Sequence, residues 1–342
     1  MDVSISRGSN VIQMIQPWKD DALTFRRLNA FTRRDHPSSV SRETLDLLIQ
    51  MPWTNREQEI LNQMFQDRYS GRWFLQKRNQ PGMDHLSSKE IMERFDLDPN
   101  KPTAVIFSQV LWDANLFYGD DLFEDAGEWF LETVLAACAN PAMNWLIKLH
   151  PANIWKREYE GITQEYTERV LINQAVGKLP AHVKLIADND NISTHSLFES
   201  IDFGITIRGT SGMELVCFGK HCVTAGTGRY SGLGFTLDSM SREQYLGRLA
   251  NLQKQSAMSE EEVLRAKWHA YGAFVLRPWP MRSARAKFAY LERGRGPLDH
   301  NLELTVVTLD QLALNADLKV WADWATGADI DFIQPEVSMQ TQ

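Results

Sequence analysis

Between about residue 103 and residue 252, short apolar runs alternate with longer stretches in which apolar residues recur every three or four positions. Short apolar runs are typical of strands buried in a parallel sheet, and the longer spacing is typical of helices. The predicted strands are 104–108, 144–149, 182–186, 201–207 and 222–225, and the predicted helices between them are 125–139, 162–175, 194–200 and 213–218. Strands that alternate with helices form right-handed βαβ units, so this part predicts an α/β fold with a doubly wound parallel sheet.

The pattern on either side of this sheet is weaker and mostly helical. Before it, we predict one strand at 11–15, helices at 20–31, 41–51, 55–69 and 87–95, and a linker at 96–102. After it, we predict helices at 241–252 and 259–274, a strand at 302–309 and a helix at 317–325. The predicted organisation is therefore a reduced, mostly helical N-terminal region (1–100), a Rossmann-like domain (101–252) and a C-terminal helical extension (253–342).

Charge and composition exclude several classes of protein. The 36 basic and 44 acidic residues give a net charge of −8, which argues against a general nucleic-acid surface. The three cysteines have no metal-ligand spacing, no apolar run approaches the length of a membrane span, and the N-terminus is no signal peptide. We therefore expect a cytoplasmic protein without a metal site.

Basic residues gather in two places, and each place allows two interpretations. The clusters are Arg26, Arg27, Arg33 and Arg34, and Arg282, Arg285, Lys287, Arg293 and Arg295. A solvated helix face is the favoured interpretation of each, and a strip that docks on acidic lipid or an anionic acceptor is the alternative.

Polar and small residues follow every predicted strand of the sheet. The loops begin at Ser108, His150, Ala187, Gly209 and Gly226. Because the carboxyl ends of parallel strands meet at one edge of a sheet, these loops predict a common ligand site there.

The turn Gly209-Thr210-Ser211-Gly212, between a strand and a helix, is the best candidate within that site. Small residues let a ligand approach the backbone, and the start of a helix favours a phosphate. The alternative is that Thr210 and Ser211 only cap the helix. A second Gly-rich loop, Gly226-Thr227-Gly228, follows the next strand and favours the phosphate site.

His150 follows the strand at 144–149 and precedes Pro151. From this position an imidazole can donate a hydrogen bond to a phosphate or to a leaving-group oxygen. A partly buried histidine bonded to the backbone is the alternative. Strand alternation places Lys148 on the face opposite Ile147, without deciding whether Lys148 reaches the site.

These motifs, in this order, resemble the capsule polysaccharide biosynthesis family. The resemblance covers roughly residues 101–250 and rests on Lys148-Leu149-His150-Pro151, Arg208-Gly209-Thr210-Ser211-Gly212-Met213-Glu214, Phe218-Gly219-Lys220 and Gly226-Thr227-Gly228-Arg229-Tyr230. The family is similar to Kdo transferases and other GT-B glycosyltransferases. The resemblance implies that this chain is a GT-B-like glycosyltransferase that needs no metal. Its donor would be a nucleotide sugar, with a CMP-sugar favoured, and its acceptor a capsular or other surface polysaccharide or a glycolipid.

The resemblance also implies roles for particular residues. His150 and Ser211 would hold the donor phosphate, and Glu214 would contact the ribose. Donor binding would also involve Arg208, Thr210, Gly212, Gly226, Gly228 and Tyr230. The N-terminal domain of GT-B enzymes usually supplies the catalytic base, and about a hundred residues are few for it here. Asp113 is therefore the base candidate, with Asp120 or Asp121 as alternatives.

No cofactor is implied. The expected location is the cytoplasm, and association with the inner face of the membrane or with a capsule-assembly complex is compatible with it. Three alternatives to glycosyl transfer remain open. They are a nucleotide-sugar epimerase, a polyol-phosphate transferase of the teichoic-acid type, and a subunit that binds a nucleotide sugar without catalysis.

Overall fold

A computed structural model of the chain describes residues 6–7, 10–15, 22–28, 36, 38–69, 84–111, 118–186, 190, 192–280, 282–289 and 299–334. The chain forms two compact units, one made of Met1–Lys77 with Trp268–Gln342 and the other of Arg78–Lys267. The first unit thus contains both ends of the chain, which the sequence analysis placed in separate regions. The domain boundaries at residues 100 and 252 remain a prediction.

The described strands and helices follow one another in this order. The strands are β1 Ser6–Arg7, β2 Asn10–Ile15, β3 Ala22–Leu28, β4 Thr103–Phe107, β5 Asn144–Lys148, β6 Val183–Ile186, β7 Phe203–Thr206, β8 His221–Thr224, β9 Trp279–Pro280, β10 Ala284–Ala289 and β11 Asp299–Leu304. The helices are α1 Arg42–Leu48, α2 Asn55–Tyr69, α3 Ser88–Arg94, α4 Ala126–Ala139, α5 Ala152–Glu160, α6 Thr167–Ala175, α7 Thr194–Ser200, α8 Thr210–Leu215, α9 Arg242–Ala250, α10 Glu260–Tyr271, α11 Leu309–Ala313 and α12 Ala316–Thr326. Single turns of 3₁₀-helix at Val216–Phe218 and Leu252–Lys254 and a π-helical turn at Gly272–Leu276 complete the list.

The second unit is built on a five-stranded parallel sheet with the order β6-β5-β4-β7-β8. This order confirms the predicted doubly wound α/β fold. The chain moves outward in one direction from β4 to β6 and in the other direction from β7 to β8. The direction reverses between β4 and β7, which is the place where sheets of this kind leave a crevice for ligands.

Each strand of this sheet buries side chains on both faces. On one face, alternate residues such as Ile106 and Ile147 pack with Trp129 of α4 and Leu249 of α9 in one apolar cluster. On the other face, Phe107 contacts Phe198 of α7, with ring centroids 6.0 Å apart. Burial on both sides explains why the sequence shows apolar runs here rather than strict alternation.

The first unit contains more β-structure than the sequence predicts. Strands β1, β2, β3 and β9 form an antiparallel sheet, and β10 pairs with β11 in a hairpin. The predicted strand at 11–15 and the predicted helices that became α1, α2 and α12 are confirmed. The C-terminal region is therefore a mixture of strands and helices and not only a helical extension.

The predicted helix at 20–31 is wrong, because residues 22–28 form β3. The prediction assumed that Arg26 and Arg27 face water. Both side chains are buried, with exposures of 0% and 8%, so neither a solvated helix face nor a docking strip describes these two residues. Arg33 and Arg34 lie outside the described residues. Arg26 instead bonds to Asp331 and Arg27 to backbone carbonyls, which compensates the cost of burial.

A second correction concerns α5, a helix that the sequence analysis does not predict. The helix begins directly after Pro151 and ends just before Gly161, which has a left-handed backbone with φ of +67°. Proline is well tolerated in the first turn of a helix, where its missing N–H is not needed. Within the described part of the chain, no helix has the length and apolar character needed to cross a bilayer.

Candidate functional site

The candidate site lies at the carboxyl ends of β4, β5 and β7. These strands are neighbours in register, since Phe107 pairs with Lys148 and Ile106 pairs with both Ile147 and Ile205. The residues that follow them therefore emerge along the same edge of the sheet. This edge includes the point where the strand order reverses.

His150 is fixed at this edge by two hydrogen bonds. Its backbone N–H donates to Ser108 Oγ at 2.8 Å, which joins the end of β5 to the end of β4. Its Nδ1 accepts from the backbone N–H of Ala152 at 3.1 Å. A neutral ring with this partner carries its proton on Nε2, so Nε2 is the nitrogen that can donate to a ligand. The side chain is half-buried.

The turn after β7 leads directly into α8. Gly209 is the N-cap residue, and Thr210 and Ser211 are the first two helical residues. Within the described residues, no side chain caps this helix, so Thr210 and Ser211 do not have the capping role that was the alternative interpretation. Gly209 donates its backbone N–H to Thr206 Oγ1 at 3.0 Å. Both hydroxyl-bearing residues are half-buried at the edge of the sheet.

Gln109, at the end of β4, lies close to the turn. A Cβ atom placed on Gly209 would lie 3.5 Å from Ser211 Oγ and 3.6 Å from Gln109 Oε1. Ser108, the residue before Gln109, binds the backbone of His150. The structure thus places His150 and Ser211 at the same edge, with Ser108 bonded to the backbone of His150 and Gln109 close to Gly209, and buries neither completely.

Three of the predicted donor-binding residues lie behind the turn rather than on its surface. Tyr230 is 1% exposed, and its hydroxyl donates to the carbonyl of Gly209 at 2.7 Å. Burial raises the pKa of Tyr230 well above its usual value. Gly212 leaves the space that this hydroxyl occupies, and Glu214 is 2% exposed. In this structure Tyr230 and Gly212 support the shape of the turn.

Arg208 lies under the second Gly-rich loop. Its guanidinium donates to Asp121 Oδ1 at 2.5 Å and to the carbonyl of Thr227 at 3.0 Å, and its side chain is 3% exposed. Thr227 in turn donates its backbone N–H to the carbonyl of Asp120 at 2.9 Å and accepts from the Asp120 N–H at 2.8 Å. These bonds fasten residues 118–121 to residues 226–228.

Glycines make this close contact possible. A Cβ on Gly226 would lie 2.8 Å from the carbonyl oxygen of Asp120, and a Cβ on Gly228 would lie 2.7 Å from the Cα of Gly119. Gly119 and Gly228 also have positive φ values of +79° and +105°. The two loops therefore pack backbone against backbone, which only glycine permits. From the sequence, Gly226 and Gly228 are assigned to donor binding, and no role is given to Gly119 or Thr227.

The base candidates have different surroundings. Asp113 lies outside the described residues. Asp121 is paired with Arg208, whereas the side chain of Asp120 is exposed.

Lys148 is the residue at this edge whose importance the sequence left undecided. It lies on the face of the sheet opposite Ile147, and its Nζ donates to the carbonyl of Ile192 at 3.1 Å. Burial lowers the pKa of Lys148 to about 8, although the nearby charge of Asp190 acts in the opposite direction. Lys148 thus ties the loop between β6 and α7 to the end of β5.

The comparisons with known proteins give one family match. A model of the family described as capsule polysaccharide biosynthesis protein matches residues 33–266. No curated protein matches the sequence.

Solved structures provide weaker similarities. A β-Kdo 2,4 transferase, KpsC from Thermosulfurimonas dismutans, is 16% identical over 75% of this chain and 71% of its own, with a TM-score of 0.38. A β-Kdo 2,7 transferase KpsC from the same organism is 14% identical over 87% and 76%, with a TM-score of 0.42. MnaA from S. aureus with UDP is 12% identical over 56% and 46%, with a TM-score of 0.33. At these values the structural similarities carry no argument about function.

Proposed function

We propose that this chain, which belongs to the capsule polysaccharide biosynthesis protein family, is a glycosyltransferase of GT-B type. It transfers a sugar from a nucleotide-activated donor to an acceptor that is a capsular or other surface polysaccharide or a glycolipid. A CMP-sugar is the favoured donor, on the ground of the family resemblance alone. The place of action would be the cytoplasm, at the inner face of the membrane.

One observation carries this proposal. His150 and the turn at Thr210 and Ser211 follow β5 and β7 at the edge of the sheet where the strand order reverses, and the end of β4, with Ser108 and Gln109, lies close to both. An imidazole N–H, two hydroxyl groups and the backbone N–H groups at the start of α8 are suitable donors for a phosphate. They support a site for the phosphate that links nucleotide and sugar.

The proposed reaction is an inverting displacement at the anomeric carbon. A carboxylate base takes the proton of the acceptor hydroxyl, the acceptor oxygen forms a bond to the anomeric carbon, and the bond from that carbon to the phosphate oxygen breaks. The nucleotide leaves with the bonding electron pair as an anion. His150 Nε2 and the Ser211 end of α8 would stabilise the growing negative charge of the phosphate. With these donors in place, the proposal requires no metal ion at the phosphate.

The other predicted residues would act from behind this surface. Arg208, Gly226 and Gly228 would hold the second Gly-rich loop in place, while Gly212 and Tyr230 would keep the turn in shape. The proposed contact between Glu214 and the ribose would require Glu214 to become accessible when the donor binds.

The proposal is tested by replacing the phosphate-binding groups. His150→Ala should lower donor turnover about 10²-fold or more, because removal of one preorganised donor to a developing anion has an effect of this size. Ser211→Ala should weaken donor binding. Turnover is measured with candidate nucleotide sugars and an acceptor extract, and binding of CMP, CDP, UDP and GDP by calorimetry.

Matched controls separate chemistry from folding. His182→Ala changes a histidine that precedes β6, at the opposite edge of the same sheet, and Ser256→Ala removes an exposed hydroxyl. Both should retain turnover. Unchanged turnover in His150→Ala would remove His150 from the mechanism. A new nucleotide sugar formed without acceptor would identify an epimerase, and binding without turnover would identify a non-catalytic subunit.

Asp113 is proposed as the catalytic base. The Asp113→Asn variant is compared with Asp120→Asn, which changes an alternative base candidate. Asp113→Asn should abolish transfer while leaving donor binding intact, because the base acts on the acceptor. Loss of transfer in Asp120→Asn but not in Asp113→Asn would assign the base to Asp120.

A further inference from the structure

A group of two histidines and one glutamate lies between the segment that precedes α3 and helix α7. His85 belongs to the segment that precedes α3, and His195 and Glu199 are four residues apart on α7. Residues four apart lie on the same face of a helix, so His195 and Glu199 point in the same direction. The third member is 110 positions away from His195 in the sequence. This distance explains why metal-ligand spacing in the sequence did not reveal the group.

The polar atoms of the three side chains lie close enough to share one ion. His85 Nε2 lies 3.2 Å from His195 Nδ1, at hydrogen-bond distance, and 3.4 Å from Glu199 Oε2. His195 Nδ1 lies 3.9 Å from the other carboxylate oxygen, Glu199 Oε1, and one ligand atom from each residue lies within 4.8 Å of the others. Zinc bonds to nitrogen and oxygen of about 2.0–2.1 Å imply that ligand atoms of a tetrahedral site are roughly 3.3–3.4 Å apart, so small movements of these side chains would bring them to that spacing.

The backbone around this group is held by several hydrogen bonds. Asp84 pairs with Ile192 in a parallel bridge and accepts from the N–H of Ser193 at 3.0 Å. The N–H of Leu86 donates to Ser196 Oγ at 2.9 Å. His85, between these two anchored residues, therefore faces α7 without an ion to hold it there. A prearranged set of ligands needs little reorganisation to bind a metal.

We propose that His85, His195 and Glu199 bind a divalent transition-metal ion, with Zn²⁺ as the best fit. Two imidazoles and one carboxylate are suitable ligands for zinc, and a water molecule would complete the tetrahedron. The ion would fasten the segment that leads into α3 to the start of α7. It is structural in this role and separate from the proposed transfer of sugar.

The experiment is a zinc titration of the tag-free full-length chain after removal of metal with EDTA and dialysis. Calorimetry should show one zinc ion bound per chain, and saturating zinc should raise Tm by roughly 5 °C at a hundredfold excess over Kd. Mg²⁺ should produce neither effect, since it prefers oxygen ligands. X-ray absorption at the zinc edge should report two imidazole ligands.

His85→Asn and Glu199→Gln should each weaken zinc binding at least tenfold, which reduces the rise in Tm at the same zinc concentration to about half or less. Glu93→Gln is the matched control, because Glu93 is an exposed helical glutamate on α3. It should bind zinc as the unaltered chain does. The proposal is overturned if the unaltered chain binds no zinc, or if the His85 and Glu199 variants bind it equally well, which would identify an adventitious ion elsewhere. Both altered side chains are exposed, so the variants should fold, and circular dichroism in EDTA checks this.

Discussion

At the scale of single residues, the sequence was most informative about polar groups at strand ends and least informative about buried charges. His150 and Ser211 are site candidates because a polar residue after an apolar run is conspicuous, and in the structure both follow strands at the same edge of the sheet. Whether a charged side chain is buried depends on partners far away in the sequence. Arg208, buried against Asp121 and Thr227, and Lys148, bonded to Ile192, could not be distinguished from exposed residues by pattern alone.

Lys148 gives a prediction about pH. Its pKa of about 8 in the folded chain is below the value of about 10.4 for an unfolded lysine. The penalty for burying the charge is therefore fully present below pH 8 and disappears as the pH rises toward about 10.4. We therefore compare the unfolding free energy of the unaltered chain with that of the Lys148→Met variant. The difference, unaltered chain minus variant, should rise by up to about 3 kcal/mol between pH 8 and about 10.4.

Urea unfolding at several pH values between 7 and 10.5 measures this difference. Other groups that titrate in both proteins cancel in the comparison. Lys89→Met changes an exposed lysine of α3 and should give a difference that does not vary with pH. A flat result for Lys148→Met would mean that the Lys148 amine is as well solvated as an exposed one.

At the scale of elements, the sequence pattern predicted the strands and helices for which the spacing of apolar residues and the residues at the boundaries indicate the same structure. The strand β7, its glycine turn and α8 were predicted because alternation, small residues and a final Gly219 all indicate the same structure. By contrast, β3 was mistaken for a helix because two arginines occupy buried positions. The pattern also could not show that the turn depends on a side chain behind it. Tyr230 supplies that support through its bond to Gly209.

Gly212→Ala tests this support. A Cβ on Gly212 would overlap the Tyr230 hydroxyl and lie 2.7 Å from Cys222 Sγ. Both neighbours are buried, so we expect the substitution to lower the unfolding free energy by about 1–3 kcal/mol. It should also weaken nucleotide binding, because Tyr230 would lose its position under Gly209. Urea unfolding and calorimetry measure the two effects.

Gly247→Ala is the matched control for this substitution. Gly247 is an exposed residue of α9, and nothing lies within 4 Å of an added Cβ. Alanine there should stabilise the chain by up to about 1 kcal/mol, since it is the better helix former. If the Gly212→Ala variant is as stable as the unaltered chain, Tyr230 can move away from Gly212 without lowering the unfolding free energy, which would contradict the prediction.

At the scale of the whole molecule, the first unit depends on residues that are about three hundred positions apart. Arg26 Nε donates to Asp331 Oδ1 at 2.8 Å, Arg277 Nε lies 3.3 Å from the same oxygen, and the N–H of Ser41 donates to Asp331 Oδ2 at 2.7 Å. The backbones also pair, since Phe332 donates its N–H to Phe25 at 3.1 Å. Single-sequence periodicity describes neighbours along the chain and contains no information about such pairs. The sequence therefore predicted the parallel sheet, whose units are local, but not the unit built from both ends.

Asp331→Asn should destabilise the first unit by about 3–5 kcal/mol, because it leaves the buried charges of Arg26 and Arg277 without their partner. Burial alone would raise the pKa of Asp331, but these two arginines outweigh it and hold the pKa well below the usual range. The carboxylate thus contributes its full stability above the unfolded value of about 3.9 and loses it as the pH falls below that value. Urea unfolding should show a large difference between the unaltered chain and the variant at pH 7 that shrinks as the pH falls below about 4.

Asp329→Asn changes an exposed carboxylate two positions away and should have little effect at either pH. Similar stabilities of the Asp331→Asn and Asp329→Asn variants at pH 7 would contradict the proposed importance of this buried charge.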